Sequence, residues 1–310
     1  MKIATYFIPL CLCFLMGCSQ ASQPNPTPYI MVLGIAQDAG YPQVGCQKAC
    51  CAPAWEGEVA PQPVTALGLV APASKQTWLF EATPDLPQQV RALQESAQAA
   101  PLPDGIFLTH AHIGHYTGLM YLGREAYGAQ SMPVYTMPRM GQFLTENGPW
   151  SQLVTLNNIA LTTLQANQPL ELTPEISVIP IVVPHRDEFS ETVGYRITGP
   201  KRTALFIPDI DKWTRWDMDL VEALEEVDVA LLDATFYDGD ELPGRNMEEI
   251  PHPFVIETMA QLEAQPLALR QKVLFIHFNH TNPLLHEGPE KAEAEAKGYR
   301  VARQGMRIEL

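Results

Sequence analysis

Positive charge is scarce in this chain. Lys and Arg number 20 against 35 Asp and Glu, a formal net charge of −15, and no basic run occurs anywhere. Polyanion binding is driven by Lys and Arg neutralising phosphates, so a DNA- or RNA-processing role is disfavoured. A small substrate entering a local metal site stays compatible, because an ion carries its own positive charge. Past the N-terminal segment, no apolar stretch is long enough to span a bilayer. Internal repeats of the solenoid type are also missing. Cysteine is sparse: Cys11 and Cys13 fall in the N-terminal apolar segment and Cys18 has a separate context, which leaves Cys46, Cys50 and Cys51. Three thiols cannot all pair with one another as disulfides.

Histidine is scarce too, with eight in the chain, yet three fall within six residues. Thr109-His110-Ala111-His112-Ile113-Gly114-His115 follows the apolar run Ile106-Phe107-Leu108, so the imidazoles sit where a strand gives way to a loop. Gly114 and Gly118 permit a tight backbone path there. Neutral imidazole is a preferred ligand of zinc and neighbouring transition metals, so the cluster reads as a metal site.

Later apolar runs end in metal-competent residues in the same way. The run 176–183 leads to His185, 203–207 leads to Asp209, and 273–276 leads to His277. Asp211 competes with Asp209, but Asp209 follows its strand more directly. This order, His-x-His-x-x-His and then a lone His, an Asp and a final His, resembles the metallo-β-lactamase-fold hydrolases over most of the chain after residue 29. Within that superfamily, Gln37-Asp38-Ala39-Gly40-Tyr41-Pro42-Gln43, Lys272 to Pro283 and the closing Gly305-Met306-Arg307-Ile308-Glu309-Leu310 resemble the coenzyme PQQ synthesis protein B branch. That branch largely replaces the first motif histidines and the later aspartate, whereas His110, His112 and Asp209 are present here. Gly114 stands where the superfamily usually carries an aspartate.

Chemistry and resemblance together imply the roles. His110, His112 and His185 would hold a first metal, Asp209 would bridge or complete the site, and His115 and His277 would face a second. With Gly114 in place of the aspartate, the second position is expected to be poor in donors and loosely filled or empty. A divalent ion with an open position lowers the pKa of bound water toward about 7, and the resulting hydroxide is the expected nucleophile. Zinc is the first choice, with iron or manganese as alternatives. Cys46, Cys50 and Cys51 with His280 would form a closed structural zinc site, as an N-terminal cysteine cluster and a late His-x-x-His do in phosphodiesterases that the chain resembles. A disulfide between Cys46 and one neighbour is the alternative. His252 matches a loop histidine of those phosphodiesterases and would assist the leaving oxygen; the alternative is a surface residue at a helix start. Asp233 is placed to orient a ligand histidine.

The N-terminus reads as an export signal. Lys2 precedes an apolar segment over 3–16, and Leu15-Met16-Gly17-Cys18 resembles a bacterial lipobox whose cysteine is lipidated. Residues 1–18 are then a signal peptide, 19–28 a Ser/Gln/Pro tether, and 29–310 one domain. This implies an exported, membrane-anchored lipoprotein on the periplasmic face, with Ser19 favouring the outer membrane. Alternating strand-like and helix-like stretches give an α/β class, and the resemblance implies a four-layer αββα sandwich. Helices are expected over 86–99, 138–146, 220–226, 254–262 and 289–297. The leading function is a lipid-anchored, metal-dependent hydrolase that uses a metal-bound hydroxide on a small ester or phosphodiester-like substrate. The alternatives are an oxidative or accessory role in PQQ biosynthesis and a non-enzymatic metal-binding lipoprotein. Oligomeric state is left open.

Overall fold

The computed structural model describes residues 1–3 and 26–310. Cys18, the lipobox and most of the tether fall outside the described residues. Two seven-stranded mixed sheets carry the architecture. The first contains β1 (Tyr29–Gly34), β2 (Ala66–Ala71), β3 (Gln76–Phe80), β4 (Gly105–Phe107), β5 (Met132–Thr136), β6 (Ile159–Thr163) and β14 (Arg307–Glu309), in the order β14-β1-β2-β3-β4-β5-β6. The second contains β7 (Leu170–Thr173), β8 (Ile176–Val182), β9 (Val193–Thr198), β10 (Thr203–Ile207), β11 (Val229–Asp233), β12 (Val273–Ile276) and β13 (Arg300–Val301). Its order is β13-β12-β11-β10-β9-β8-β7.

Apolar continuity explains which strands lie at the centre. Every residue of β2 (Ala-Leu-Gly-Leu-Val-Ala) and of β11 (Val-Ala-Leu-Leu-Asp) is buried. Strands covered on both faces read as unbroken apolar runs rather than alternating ones. Between the sheets, Phe80 stacks on Phe107 and Phe107 on Tyr135, and Tyr195 meets Phe80 and Phe107 edge-on. Offset and edge-on aromatic pairs contribute roughly 0.5–1.5 kcal/mol each beyond their burial.

Helices cover the outer faces. Leu86–Ala97 buries Leu86 and Leu93 in the cluster beneath the first sheet, together with Met140 and Leu144 of Pro138–Glu146. Leu220–Glu225 begins on Asp219, whose carboxylate accepts from the N–H groups of Val221 and Glu222 at 2.7 and 3.2 Å. That side-chain cap satisfies two of the donors that a helix start leaves without partners. Val255–Gln261 and Pro289–Ala296 complete the layer behind the second sheet. The helix over 138–146 has the expected bounds, and the ends of the other expected helices depart by one or two residues, as fraying termini do. The result is the αββα sandwich. No helix among the described residues is long and apolar enough to cross a membrane.

Topology then positions the chemistry. Glu81 follows β3, His110 follows β4, Asp209 follows β10, and His277 follows β12. Carboxyl ends of strands in α/β sheets are where ligand sites gather. Tyr195 on β9 donates its hydroxyl to the Leu108 carbonyl at 2.5 Å, and the Val193 N–H reaches the Thr109 carbonyl at 3.2 Å. These two bonds tie the second sheet to the histidine loop of the first.

Candidate metal centres

Four of the expected residues converge at one end of the sandwich. His110, His112, His185 and Asp209 each offer a ligand atom within 4.8 Å of the others. His110 Nε2 is 3.3 Å from Asp209 Oδ2, and His185 Nε2 is 3.3 Å from Asp209 Oδ1. His112 turns its Nδ1 inward, 2.8 Å from His110 Nε2, and sends Nε2 toward Glu188 at 3.4 Å. Zinc bonds of about 2.0–2.2 Å to N and O place tetrahedral ligand atoms about 3.3–3.6 Å apart. The two Asp209 distances fall on that spacing.

Each ring is oriented from behind. Thr109 Oγ1 donates to Glu81 Oε1 at 2.6 Å and therefore accepts from His110 Nδ1 at 2.9 Å, which leaves Nε2 unprotonated toward the centre. Asp211 Oδ1 takes His185 Nδ1 at 3.2 Å, while Arg215 donates to Asp211 Oδ2 at 2.8 Å. Asp211 is thus a support for His185, and Asp209 faces the centre. Outer partners of this kind fix tautomer and ring orientation in metal sites.

A second group forms beside the first from Asp38, His115 and His277. His115 Nε2 lies 3.1 Å from Asp38 Oδ1 and 3.7 Å from Asp209 Oδ2, and its Nδ1 is 3.2 Å from Glu81 Oε1. Thr235 Oγ1 donates to Asp233 Oδ1 at 2.7 Å and so accepts from His277 Nδ1 at 3.0 Å, which frees His277 Nε2. The expectation of a donor-poor second position is therefore corrected: a carboxylate from the loop after β1 stands there. Sequence reading missed both Asp38 and Glu81 as site residues. Glu81 carries a readable signal, since like the ligands it ends an apolar strand.

Five inward-facing atoms across the two groups lack hydrogen bonds. Asp38 Oδ1, His115 Nε2, His185 Nε2, Asp209 Oδ1 and His277 Nε2 are all buried and unpartnered. Orphaned buried polar atoms are costly, and here they point at one another across two adjoining spaces. Cations would satisfy them, and the N/O donor set suits a divalent transition metal. Backbone strain marks the same place. Glu81 and His277, both fully buried, hold φ values of +80° and +70°. Such conformations cost on the order of 1–3 kcal/mol for a non-glycine residue and concentrate at functional sites.

Charge coupling follows from the crowding. Burial works against an ionised Asp209, but His185, His252 and His110 outweigh it and hold its carboxyl well below the usual range. Burial leads in pushing the His110 ring well below the ordinary imidazole value, which keeps it neutral as a ligand must be. His252 lies between two carboxylates, its Nδ1 2.8 Å from Asp233 Oδ2 and 3.1 Å from Asp209 Oδ1. Burial opposes its charge, yet Asp233 and Asp209 prevail and raise it well above the ordinary value. His252 is buried and distinct from the cap of the following helix, which is Phe254. Asp233 supports His252 directly and His277 through Thr235.

Cys46, Cys50, Cys51 and His280 form a separate cluster, again within 4.8 Å. All three cysteines are free, and Cys46 Sγ is 3.8 Å from Cys50 Sγ. A disulfide needs about 2.05 Å, whereas zinc–sulfur bonds of about 2.3 Å set tetrahedral sulfurs about 3.8 Å apart. Asn279 Oδ1 holds His280 Nδ1 at 3.1 Å, leaving Nε2 for the cluster. Burial, with Cys46 and Cys50 close by, pushes the Cys51 thiol up to about 12. Three thiolates can share this space only around a cation.

Residues 76–278 match the family described as the beta-lactamase superfamily domain. The chain is 26% identical to coenzyme PQQ synthesis protein B of Methylorubrum extorquens (strain PA1), covering 91% of this chain and all of the relative. Among solved structures, Zn(2+)-bound PqqB from Methylobacterium extorquens is similar at a TM-score of 0.75 and 24% identity, covering 91% of this chain and 100% of the other. A diphosphatase from the PhnP family is similar at a TM-score of 0.63 and 21% identity, covering 92% and 98%.

Proposed function

The chain belongs to the beta-lactamase superfamily domain family, and on that premise we propose that it is a metal-dependent hydrolase acting on a small, anionic ester or phosphodiester-like substrate. The set of buried, unpartnered donor atoms converging from His185, Asp209, His115, His277 and Asp38 carries the reading. A divalent ion held there would act as a Lewis acid and lower the pKa of a coordinated water. Zinc fits the donors of both clusters, and a solved PqqB carries it.

Cavity chemistry supports the substrate class. A cavity of about 690 Å³ opens beside His252 and is bounded by Lys48, Arg186, Arg245, Phe236 and Ile250. Glu249 is the single carboxylate among its lining residues. In a chain of net charge −15, three cations converging on one cavity favour a negatively charged substrate. His252 faces this cavity while Asp233 holds its Nδ1, so the charged ring keeps Nε2–H for the leaving oxygen. Ile210 N–H donates to Asp233 Oδ2 at 3.1 Å and Thr235 N–H to Oδ1 at 2.8 Å, which fixes that carboxylate and hence the ring.

A role resembling that of PQQ synthesis protein B is the second reading, favoured by similarity along 91% of the chain. Turnover separates the two. The purified protein is assayed against nitrophenyl phosphodiesters and carboxylic esters, beside His112→Ala. We expect hydrolysis of a diester that the variant abolishes without loss of fold. Unchanged turnover in the variant would eliminate the metal-dependent mechanism. We also propose anchoring through lipidated Cys18, which Cys18→Ala would test by moving the protein out of the membrane fraction.

A further inference from the structure

Gly114 interrupts the histidine motif at the residue before His115, and its missing side chain has a visible consequence. A Cβ built there would lie 2.4 Å from Asp38 Oδ1, 2.5 Å from Asp38 Cα and 3.1 Å from Asp38 Cβ. Real side chains do not approach so closely. The loop after β1 therefore occupies the volume that any side chain at position 114 would need. Bare backbone at 114 is a condition for Asp38 being where it is.

That placement is fixed by backbone bonds to the strand that delivers His277. Gln37 N–H donates to the Phe278 carbonyl at 2.8 Å, and Phe278 N–H returns a bond to the Ile35 carbonyl at 2.8 Å. Gly40 N–H closes a turn onto the Gln37 carbonyl at 2.7 Å, with φ of +72° at Gly40. Residues on either side of Asp38 are thus pinned next to His277. Its Oδ1 then faces His115 Nε2 at 3.1 Å, and both atoms are buried without a hydrogen bond. A carboxylate and a ring nitrogen at this distance, unbonded to each other, have the spacing of two ligands of one ion.

We propose that Asp38 is the carboxylate ligand of the second active-site metal, and that Gly114 and Asp38 form an exchanged pair. The carboxylate missing from the motif is supplied by the loop after β1 of the same chain, so that Asp38, His115, His277 and a shared Asp209 furnish a complete second position. This rests on the reading of the site as a metal centre, and the experiment keeps the two apart.

Zinc content per chain is measured by elemental analysis on protein purified with zinc, before and after dialysis against graded chelator. Four proteins are compared: wild type, Asp38→Asn, Asp38→Glu, and His110→Ala. The proposal expects Asp38→Asn to release one equivalent at a chelator strength at least about ten-fold lower than wild type, the usual scale for losing a metal-site partner. The cysteine-bound equivalent should be retained. Asp38→Glu, which keeps a carboxylate, should hold that equivalent more firmly than Asp38→Asn, an outcome that a merely structural role for Asp38 would not produce. If His110→Ala loses metal while Asp38→Asn retains all of it, the Asp38 assignment is overturned and the metal centre stands. If neither variant changes zinc content, both fall.

Discussion

Thr109→Val removes one hydroxyl and keeps the shape of the side chain, so it isolates the support behind the first metal position. The hydroxyl lies in a buried relay, 2.6 Å from Glu81 Oε1 and 2.9 Å from His110 Nδ1. Without it, His110 Nδ1 has no acceptor and the ring loses the bond that selects its tautomer. Glu81 keeps its contacts to His115 Nδ1 at 3.2 Å and to the Thr109 N–H at 3.3 Å. Leaving one buried donor unsatisfied costs about 1–3 kcal/mol of stability. Loss of an outer-shell partner weakens metal affinity about 10- to 100-fold, which is about 1.4–2.7 kcal/mol by the usual conversion. The assay is competition for zinc against a chromophoric chelator, read beside denaturant unfolding with and without excess chelator. We expect the active-site affinity to fall by that factor, while the cysteine-bound equivalent is unchanged. An affinity within two-fold of wild type would refute the idea that Thr109 sets the His110 tautomer.

Other perturbations test other parts of the account. His252→Gln should lower kcat by about 10²- to 10⁴-fold; because the acting form is protonated and Asp233 and Asp209 raise its pKa, the alkaline fall in activity should vanish in the variant's pH profile. Cys50→Ser should lose one zinc equivalent and lower the Tm, whereas His112→Ala should leave the cysteine-site equivalent and most of the Tm in place. Burial raises the Glu241 carboxyl from 4.5 to about 7 despite the bond from Thr281. The folded protein therefore holds this proton more tightly than the unfolded chain, and stability should decline as pH rises from 4.5 to about 7. Glu241→Gln should flatten that decline in urea midpoints measured across the window.

Much of the fold was legible because burial leaves an unbroken apolar signature. Tyr29–Gly34, Thr203–Ile207 and Val273–Ile276 form strands at the boundaries that their apolar runs suggest. The four-residue candidate metal cluster was legible for a related reason: each of its members follows the end of such a run. The cysteine cluster with His280 could be read from an odd thiol count and a spare histidine. Asp38 was hidden. It lies in a Gly- and Pro-containing loop with no apolar periodicity, and it reaches its partners His115 and His277 only through tertiary pairing at Phe278. Glu81 was hidden among 35 acidic residues, although its place at the end of β3 matches the rule that found the others. Gly114 suggested a deficit at the second position; the loop that fills the vacated space comes from 76 positions earlier in the chain, beyond the reach of motif spacing.

The central claim is that this chain holds a metal centre separate from its cysteine site. Metal content per purified chain, compared with a His110→Ala/His112→Ala double variant, tests it most directly. The account predicts three equivalents in the wild type, one of them at the cysteines, with the total falling by at least one in the variant. A single zinc that is unchanged in the variant would contradict it, because only the cysteine site would then be filled.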